Sequence, residues 1–441
     1  SSILESVVVQ KSYSPNMPGE FGGGVVQLRT RRPPTGLVAN VSLTGAYRSG
    51  TTWRTGLDDV NGPTDWLGFD NGFRDLPQGL VDASANSPLE ESDRFSPDRG
   101  YSAEELEAFG DSIKPRWSPQ ERTLPADTGF SASLGHGIEK GDLTIGALGA
   151  LTYRNNWQRL QYDRTYYLVG ANSQLEPQHE YAFNEATNEI SLGGFFTGGA
   201  EYKAQSVRYT GMLNRSTDST ARVYEGFNRD VGDDIRITRL RYVERQLGYH
   251  QLLGNHGIFD LGEIDWHVVR AKARRKEPDR RETRYDLEQS TGEWLLSDRP
   301  EGNGIFDSEL GDTTIELGTD LTAFLRLREG DDPPGKVQIG ALSVTRDRGV
   351  DTRRYKYFHK GEISRDPAIL AQDPDDVFVP KNIGPRRLSV RRVHPSDRQL
   401  HRVAEHPGRV RHGRAARVAL GAGHGRGAVG AQRPAREHLR A

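Results

Sequence analysis

Between Ile315 and Arg328 the chain alternates: Ile315, Leu317, Thr319, Leu321, Ala323, Leu325 and Leu327 interleave with Glu316, Gly318, Asp320, Thr322, Phe324, Arg326 and Arg328. A period of two belongs to a β-strand, whose successive side chains point to opposite faces, and it does not suit an amphipathic helix. One face is built for an apolar medium and the other for water. The same pattern recurs near 37–47, 128–137, 143–155, 189–202, 207–223, 236–254, 263–275 and 337–357, which with the first stretch predicts nine strands.

Connections between these strands are of two kinds. Tight turns are expected at Glu139-Lys140-Gly141-Asp142, near Lys203 to Ser206, near Asn255 to Gly262 and near Arg328 to Lys336. Long polar connections are expected at about 48–127, 156–187, 224–234, 276–312 and 358–388. Short turns at one end and long loops at the other are the asymmetry of an outer-membrane barrel. A soluble sandwich or propeller has no reason to put every long loop at one end. The turns at Lys140-Gly141 and Pro333-Pro334-Gly335 are therefore expected at one end, and the loops carrying Trp66 and Tyr166 at the other. A single helix signal stands out, a capping box of Ser102 with Glu105 ahead of Leu106 and Phe109, which predicts a short helix inside a loop.

Only 34% of the residues are hydrophobic, and the mean hydropathy is -0.71. No run approaches the roughly 20 apolar residues of a spanning helix, so a membrane would be crossed by tilted strands of about 9 to 11 residues. Sixteen tyrosines, fifteen phenylalanines and six tryptophans suit strands and interfacial girdles. With no cysteine, disulfides and thiolate metal sites are excluded. Ser1 to Gln10 offers neither a basic n-region nor an apolar h-region, and the expectation is that sequence is missing before Ser1.

Leu4-Glu5-Ser6-Val7-Val8-Val9-Gln10-Lys11 is followed by Tyr13-Ser14-Pro15-Asn16-Met17, then Pro18, Gly19, Glu20, Phe21, Gly22, Gly23 and Gly24, then Val25 to Thr30. This stretch resembles the end of the plug domain of TonB-dependent outer-membrane receptors. In that family a strand leads into a loop ending in an aromatic-glycine pair, a glycine cluster, and a strand finishing in Thr-Lys or Thr-Arg. Glycines lack a Cβ, so two strands can pass close to one another there. A phosphate loop is excluded, because no Lys-Ser/Thr follows Gly22-Gly23-Gly24 and a strand, not a helix, comes next.

The resemblance implies an all-β fold, a partial antiparallel outer-membrane β-barrel preceded by the last strands of a plug. The implied division is 1–34 for the end of the plug, 35–390 for the N-terminal part of the barrel with long extracellular loops, and 391–441 for an anomalous tail. It further implies a monomeric receptor in the outer membrane of a Gram-negative bacterium, a fragment of an importer of a scarce nutrient and not an enzyme. Implied partners are the TonB complex, through a segment upstream of Ser1, outer-membrane lipid and lipopolysaccharide, and a small nutrient ligand, with no nucleic acid and no cofactor. The other reading is a soluble or surface-attached β-rich carbohydrate-binding or structural protein, which predicts buried alternate faces and no lipid-facing band.

Other constellations carry weaker signals. Asp58-Asp59-Val60-Asn61-Gly62 and Glu301-Gly302-Asn303-Gly304-Ile305-Phe306-Asp307 offer oxygen ligands for calcium but lack EF-hand spacing, and read as solvated turns. Trp266-His267 with His250 and His256 is a weak metal signal, and no metal is expected. The basic run Arg270 to Arg281 suits an anionic ligand, lipopolysaccharide phosphates or nothing at all. No Gly-x-Ser-x-Gly, no His-Glu-x-x-His and no paired carboxylates point to catalysis.

From His401 to Ala441 only nine residue types occur, with no aromatic, Lys, Asn, Asp, Ser or Thr, and nine arginines face two glutamates. Such a composition is what GC-rich DNA yields out of frame, and the expectation is a shifted reading frame and a disordered tail. The other reading is a genuine basic tail that binds nucleic acid or lipopolysaccharide.

Overall fold

A computed structural model describes residues 4–10, 25–30, 34–92, 94–95, 99–170, 172–259, 261–299, 302–325, 335–393, 410–412 and 417–423. All nine predicted stretches, 315–328 as far as Leu325, lie in strands of one antiparallel sheet. They are β3 (Val38–Ala46), β6 (Asp127–Lys140), β7 (Leu143–Val169), β8 (Leu175–Tyr202), β9 (Gln205–Asn228), β10 (Asp233–Ile258), β11 (Gly262–Glu288), β13 (Gly304–Leu325) and β14 (Gly335–His359). Sequential strands are neighbours throughout, and β15 (Leu388–Arg392) ends the row beside β14. Short strands β12 (Glu293–Leu296), β16 (Val410–His412) and β17 (Arg417–Gly423) pair with β11 and β14, bringing the sheet to thirteen strands. β3 lies at one edge and β15 at the other, and among the described residues nothing joins them, so the sheet is open and not a closed barrel. Separately, β1 (Leu4–Gln10) and β2 (Val25–Thr30) pair with each other, while β4 (Thr55–Asp58) pairs with β5 (Gln120–Thr123).

The strands are far longer than the sequence suggests. β7 has 27 residues and β8 has 28, so the expected loop at 156–187 is mostly ladder, as are 224–234 and much of 276–312. At about 3.3 Å per residue, 27 residues reach roughly 90 Å, several times the apolar thickness of a bilayer. In the far halves charged side chains pair across strands, as in Arg222 with Glu185, Arg239 with Glu282 and Arg245 with Asp218. Such cross-strand pairs replace the apolar and polar alternation.

Three tight turns occupy one end. Gly141-Asp142, Lys203-Ala204 and the stretch around Phe259 each reverse the chain with a left-handed residue, at φ 61, 52 and 48 for Gly141, Lys203 and Phe259. Gly335 begins β14 at the same end, opposite Leu325, whereas Pro333-Pro334 lies outside the described residues. Tyr166, expected in a loop, pairs with His179 inside the ladder at the other end.

From that other end two excursions, 47–126 and 360–387, fold back onto one face. The first carries α1 (Gln78–Asn86) and α2 (Ala103–Asp111). Ser102 caps α2 as predicted: its hydroxyl accepts from the Glu105 amide at 3.2 Å, and Glu105 Oε2 accepts from the Ser102 amide at 2.8 Å. The second excursion carries α3 (Pro367–Leu370) and α4 (Pro374–Val377). Trp66 therefore does not stay at the loop end. Its carbonyl accepts from the Tyr153 hydroxyl at 2.6 Å, mid-sheet.

Registered partners share a face. Trp157, Ala186, Ala221 and Leu240 lie on one face and are buried against Leu57 and Leu124 of the first excursion. Nearby on that face Tyr285, Ile305, Tyr355 and Tyr357 pack with Leu80, Leu106, Trp117 and Phe378 from both excursions. Toward the turn end the same face stays apolar but bare: Leu43, Phe130, Leu151, Phe196, Leu213 and Leu317 are all exposed.

Candidate anion-binding cavity

Ion pairs fasten the first excursion to the sheet. The Arg74 side chain is fully buried, meets Asp65 at 2.7 Å and Asp70 at 3.0 Å, and lies 4.1 Å from the centre of the Tyr242 ring. Arg116 bridges Asp59 of the excursion and Asp279 of β11, the latter at 2.8 Å. Burial drives the Asp279 carboxyl upward, yet Arg281 and Arg116 hold it below its usual range. Glu244 of β10 accepts from the Asp70 amide at 2.7 Å and pairs with Arg215. Gly68, at φ 77, touches the sheet so closely that a Cβ would sit 2.9 Å from Thr217 Oγ1.

Asp279 sits in a bulge. From Lys276 to Arg281 β11 runs opposite Glu244 to Leu240 on β10 and Glu309 to Ile305 on β13, so it carries one extra residue against both neighbours. Pro278 within the bulge has no amide to offer a ladder, and Asp279 is left-handed at φ 45. Below the bulge Arg270, Lys272 and Arg274 share the apolar face; above it Arg281 and Tyr285 do.

Arg280 therefore points to the opposite face, where it shares a row with Phe306 and Arg354. Here a cavity of about 870 Å³ opens at the upper end of the β11–β13–β14–β15 ladder, lined by Arg280, Phe306 and Arg354 of this face, by Ile305, Tyr355 and Arg392 of the excursion face and by the stretch 84–90 of the first excursion. Its charged lining comprises seven cations, Arg99, Arg239, Arg280, Arg354, Lys356, Arg391 and Arg392, against Glu90, Glu282 and Asp298. Each acid is engaged: Arg239 meets Glu282 at 2.6 Å, Arg391 meets Glu90 at 3.2 Å and Lys356 meets Asp298 at 3.6 Å. Two phenyl rings order the cations further. Arg280 and Arg354 lie 4.1 and 5.3 Å from the Phe306 centre, Lys356 and Arg391 4.9 and 5.7 Å from that of Phe358. Burial pulls the Arg280 guanidinium below its ordinary value against the opposing pull of Glu277 and Glu282, and its intrinsic basicity keeps it charged at neutral pH.

No family model, curated protein or solved structure matches the chain.

The sites expected from sequence fare differently. Pro18 to Gly24, the glycine motif, lies outside the described residues. Asp58 and Asp59, expected in a solvated turn, are buried and bound to Arg122, Arg74 and Arg116, because the excursion folds inward. Asp307 faces Arg353 at 3.4 Å, and burial pushes its carboxyl up to about 6. His267 meets Glu316, His250 meets Tyr209 and His256 meets Gln205, three separate contacts. Among the described residues no group of His, Cys, Asp and Glu is arranged to hold a metal ion. The cavity itself was not foreseen. Its local signal was Arg354-x-Lys356-x-Phe358, alternate residues that a strand must place on one face.

Proposed function

We propose that the chain is part of an outer-membrane β-barrel receptor of the TonB-dependent type, which captures a scarce nutrient and imports it with energy from the TonB complex. The bare apolar band carries the reading. Its exposed residues reach from Leu325 back to Ile315 on β13 and from Ile138 back to Phe130 on β6, and they continue through Ile145, Leu151, Phe196, Leu213 and Val268 on the strands between. That height matches the about 9 to 11 residues of a tilted strand crossing a bilayer. Exposed large apolar residues recurring at one level on strand after strand are foreign to monomeric soluble proteins, whose surface apolar residues are scattered singly. For a soluble carbohydrate-binding or structural protein the band would need a covering partner.

On the same face Arg270, level with Ile315 at the top of the band, and Lys272 and Arg274 above it stand at alternate positions and exposed, at the level of anionic headgroups. The opposite face becomes the barrel interior. Hydrocarbon does not tolerate unpaired strand edges, so the working barrel needs strands beside β3 and beyond β15 in addition to those described. Resemblance of Leu4 to Thr30 to the end of a plug supports coupling to TonB.

The chain has no cysteine, which permits single-cysteine labelling. Nitroxides at Leu151→Cys, Leu213→Cys and Leu317→Cys in reconstituted bilayers are expected to collide with oxygen and to be shielded from an aqueous nickel chelate, whereas Tyr166→Cys shows the reverse. Equal chelate access at all four positions, or a purified chain that stays monodisperse without detergent, sinks the membrane reading.

A further inference from the structure

We infer that the loop-side edge of the apolar band holds a docking site for a phosphorylated glycolipid of the outer leaflet, with Arg270 and Lys272 as the groups that bind its phosphate. The inference rests on the membrane reading, and the test below separates the two.

The edge of the band is not level across the sheet. On β13 the band ends at Ile315, in the register row of Arg270. On β6 it ends at Phe130, whose row runs through Tyr153 and Arg215 to Arg274, farther toward the loop end. A band that slants against the register is what tilted strands present to a flat bilayer. Arg270 and Lys272 therefore stand at the hydrocarbon boundary on β11, while Leu213 and Leu151, in the row of Lys272, lie below it on β9 and β7.

Two cations here are uncommitted. Among the described residues Arg270 and Lys272 are exposed and have no ion-pair, hydrogen-bond or ring partner, whereas Arg274 meets Glu309 at 2.7 Å and Lys276 pairs with Asp75. Asp347, the acid in the row of Lys272, stands two strands off at about 10 Å. Alternate residues of a strand are about 7 Å apart, so one phosphate fits between the Arg270 fork and the Lys272 ammonium.

Below the cations the surface is furrowed. The row of Lys272 reads Leu151, Gly194, Leu213, Gly248, Lys272. A Cβ at Gly194 would meet only Leu151 at 3.8 Å, and one at Gly248 only the Lys272 carbonyl at 4.0 Å. Both glycines thus leave depressions beside Leu213 that suit acyl chains. Above the cations residues 66–75 of the first excursion cross from β7 to β11 as a ledge. The Gly68 carbonyl accepts from Thr217 at 2.9 Å, the Asp70 amide donates to Glu244 at 2.7 Å, and Asp75 pairs with Lys276. Trp66 opens this ledge at the band's edge on β7, 61% exposed, where an indole has its ring toward hydrocarbon and its N–H toward water. In the receptor reading the loop end faces outward, so the leaflet at this edge is the one built from lipopolysaccharide, which fixes the source of the phosphate.

The test is native mass spectrometry of the full chain from neutral detergent, titrated with lipid A, dephosphorylated lipid A or phosphatidylglycerol and read as the fraction of protein carrying one lipid. Lipid A is expected to bind at least tenfold tighter than either of the others. Arg270→Gln with Lys272→Gln should abolish that preference, and because neither side chain has a partner to lose, the fold should be unaffected. The exchange Arg270→Lys with Lys272→Arg should retain the preference. Gly248→Leu, which fills one furrow, should weaken lipid A binding by a smaller factor. Arg245→Gln, on the opposite face and paired with Asp218, is the control and should change nothing. Equal binding of lipid A and phosphatidylglycerol, or a preference that survives the double glutamine variant, overturns the inference. If the nitroxides at the band are shielded from the chelate, either result removes this site and leaves the membrane reading standing; nitroxides open to the chelate remove both.

Discussion

The turn half and the loop half of this sheet share a backbone and differ in what covers them. On one face both halves are apolar. Near the turns Leu151, Leu213 and Leu317 are bare; farther along, Trp157, Ala221 and Leu240 are buried beneath the first excursion. In the proposed setting lipid shields the first set and protein shields the second. The difference teaches that an apolar strand face does not by itself identify its solvent. What distinguishes the halves is the buried arginine and aspartate network, present only where protein must be fastened to protein.

Breaking the network should have the largest effect. Arg74→Leu leaves Asp59, Asp65 and Asp70 as buried charges without their shared partner, which costs about 3–5 kcal/mol for comparable buried pairs. The expected outcome is release of the first excursion with the sheet intact, read as new protease cleavage between residues 47 and 126 with an unchanged far-ultraviolet strand signal. Loss of the strand signal as well would mean that the halves are not separable.

Leu317→Lys probes the other half. At the depth of a bilayer midplane a lysine costs roughly 2–4 kcal/mol, so the variant should insert poorly from urea into lipid, while Leu160→Lys, exposed far above the band, inserts normally. Equal insertion of both would mean that the band does not meet hydrocarbon. Gly68→Ala should cost less, about 1–2 kcal/mol, because it forces a left-handed φ on a residue with a Cβ beside Thr217. The loss should appear as a lower midpoint for excursion release and leave insertion untouched.

Proton linkage gives the smallest effect. Asp307 carries a folded-state pKa of about 6, raised from an ordinary 3.8 by burial, against the pull of Arg353 and Lys276. Its protonation therefore stabilises the fold fully below about pH 4, and that contribution is lost as pH rises through about 6. Lowering the pH from 7 to 5 should raise the thermal midpoint of the wild type by an increment that Asp307→Asn lacks. Identical pH profiles would show that Arg353 keeps the carboxylate charged.

Legibility in the sequence follows the same division. Turn halves of the strands were readable because a polar face and a bare apolar face impose a period of two. Loop halves were not, since Arg222 with Glu185 and Arg239 with Glu282 make one face charged while Trp157 or Tyr285 appear singly on the other. The helix at Ser102 was readable because a capping box is local. The cavity was not, because Arg239, Arg280, Arg354 and Arg391 come from four strands. The basic run Arg270 to Arg281 drew notice as one feature, whereas the fold divides it: Arg270, Lys272 and Arg274 take one face and Arg280 the other.

That division is the work of a single extra residue. The bulge at Pro278-Asp279 acts as a phase shift in a two-beat pattern: upstream of it even-numbered residues look toward the apolar side, downstream odd-numbered ones do. Were the ladder to run straight through Pro278 and Asp279 without a bulge, everything beyond would exchange its two sides. Tyr285 would then turn away from its core and Glu282 toward it, with no change of composition, charge or predicted strand. In this chain the side that each residue of β11 faces is thus set by where the one extra residue sits, and not by the residue types that follow it.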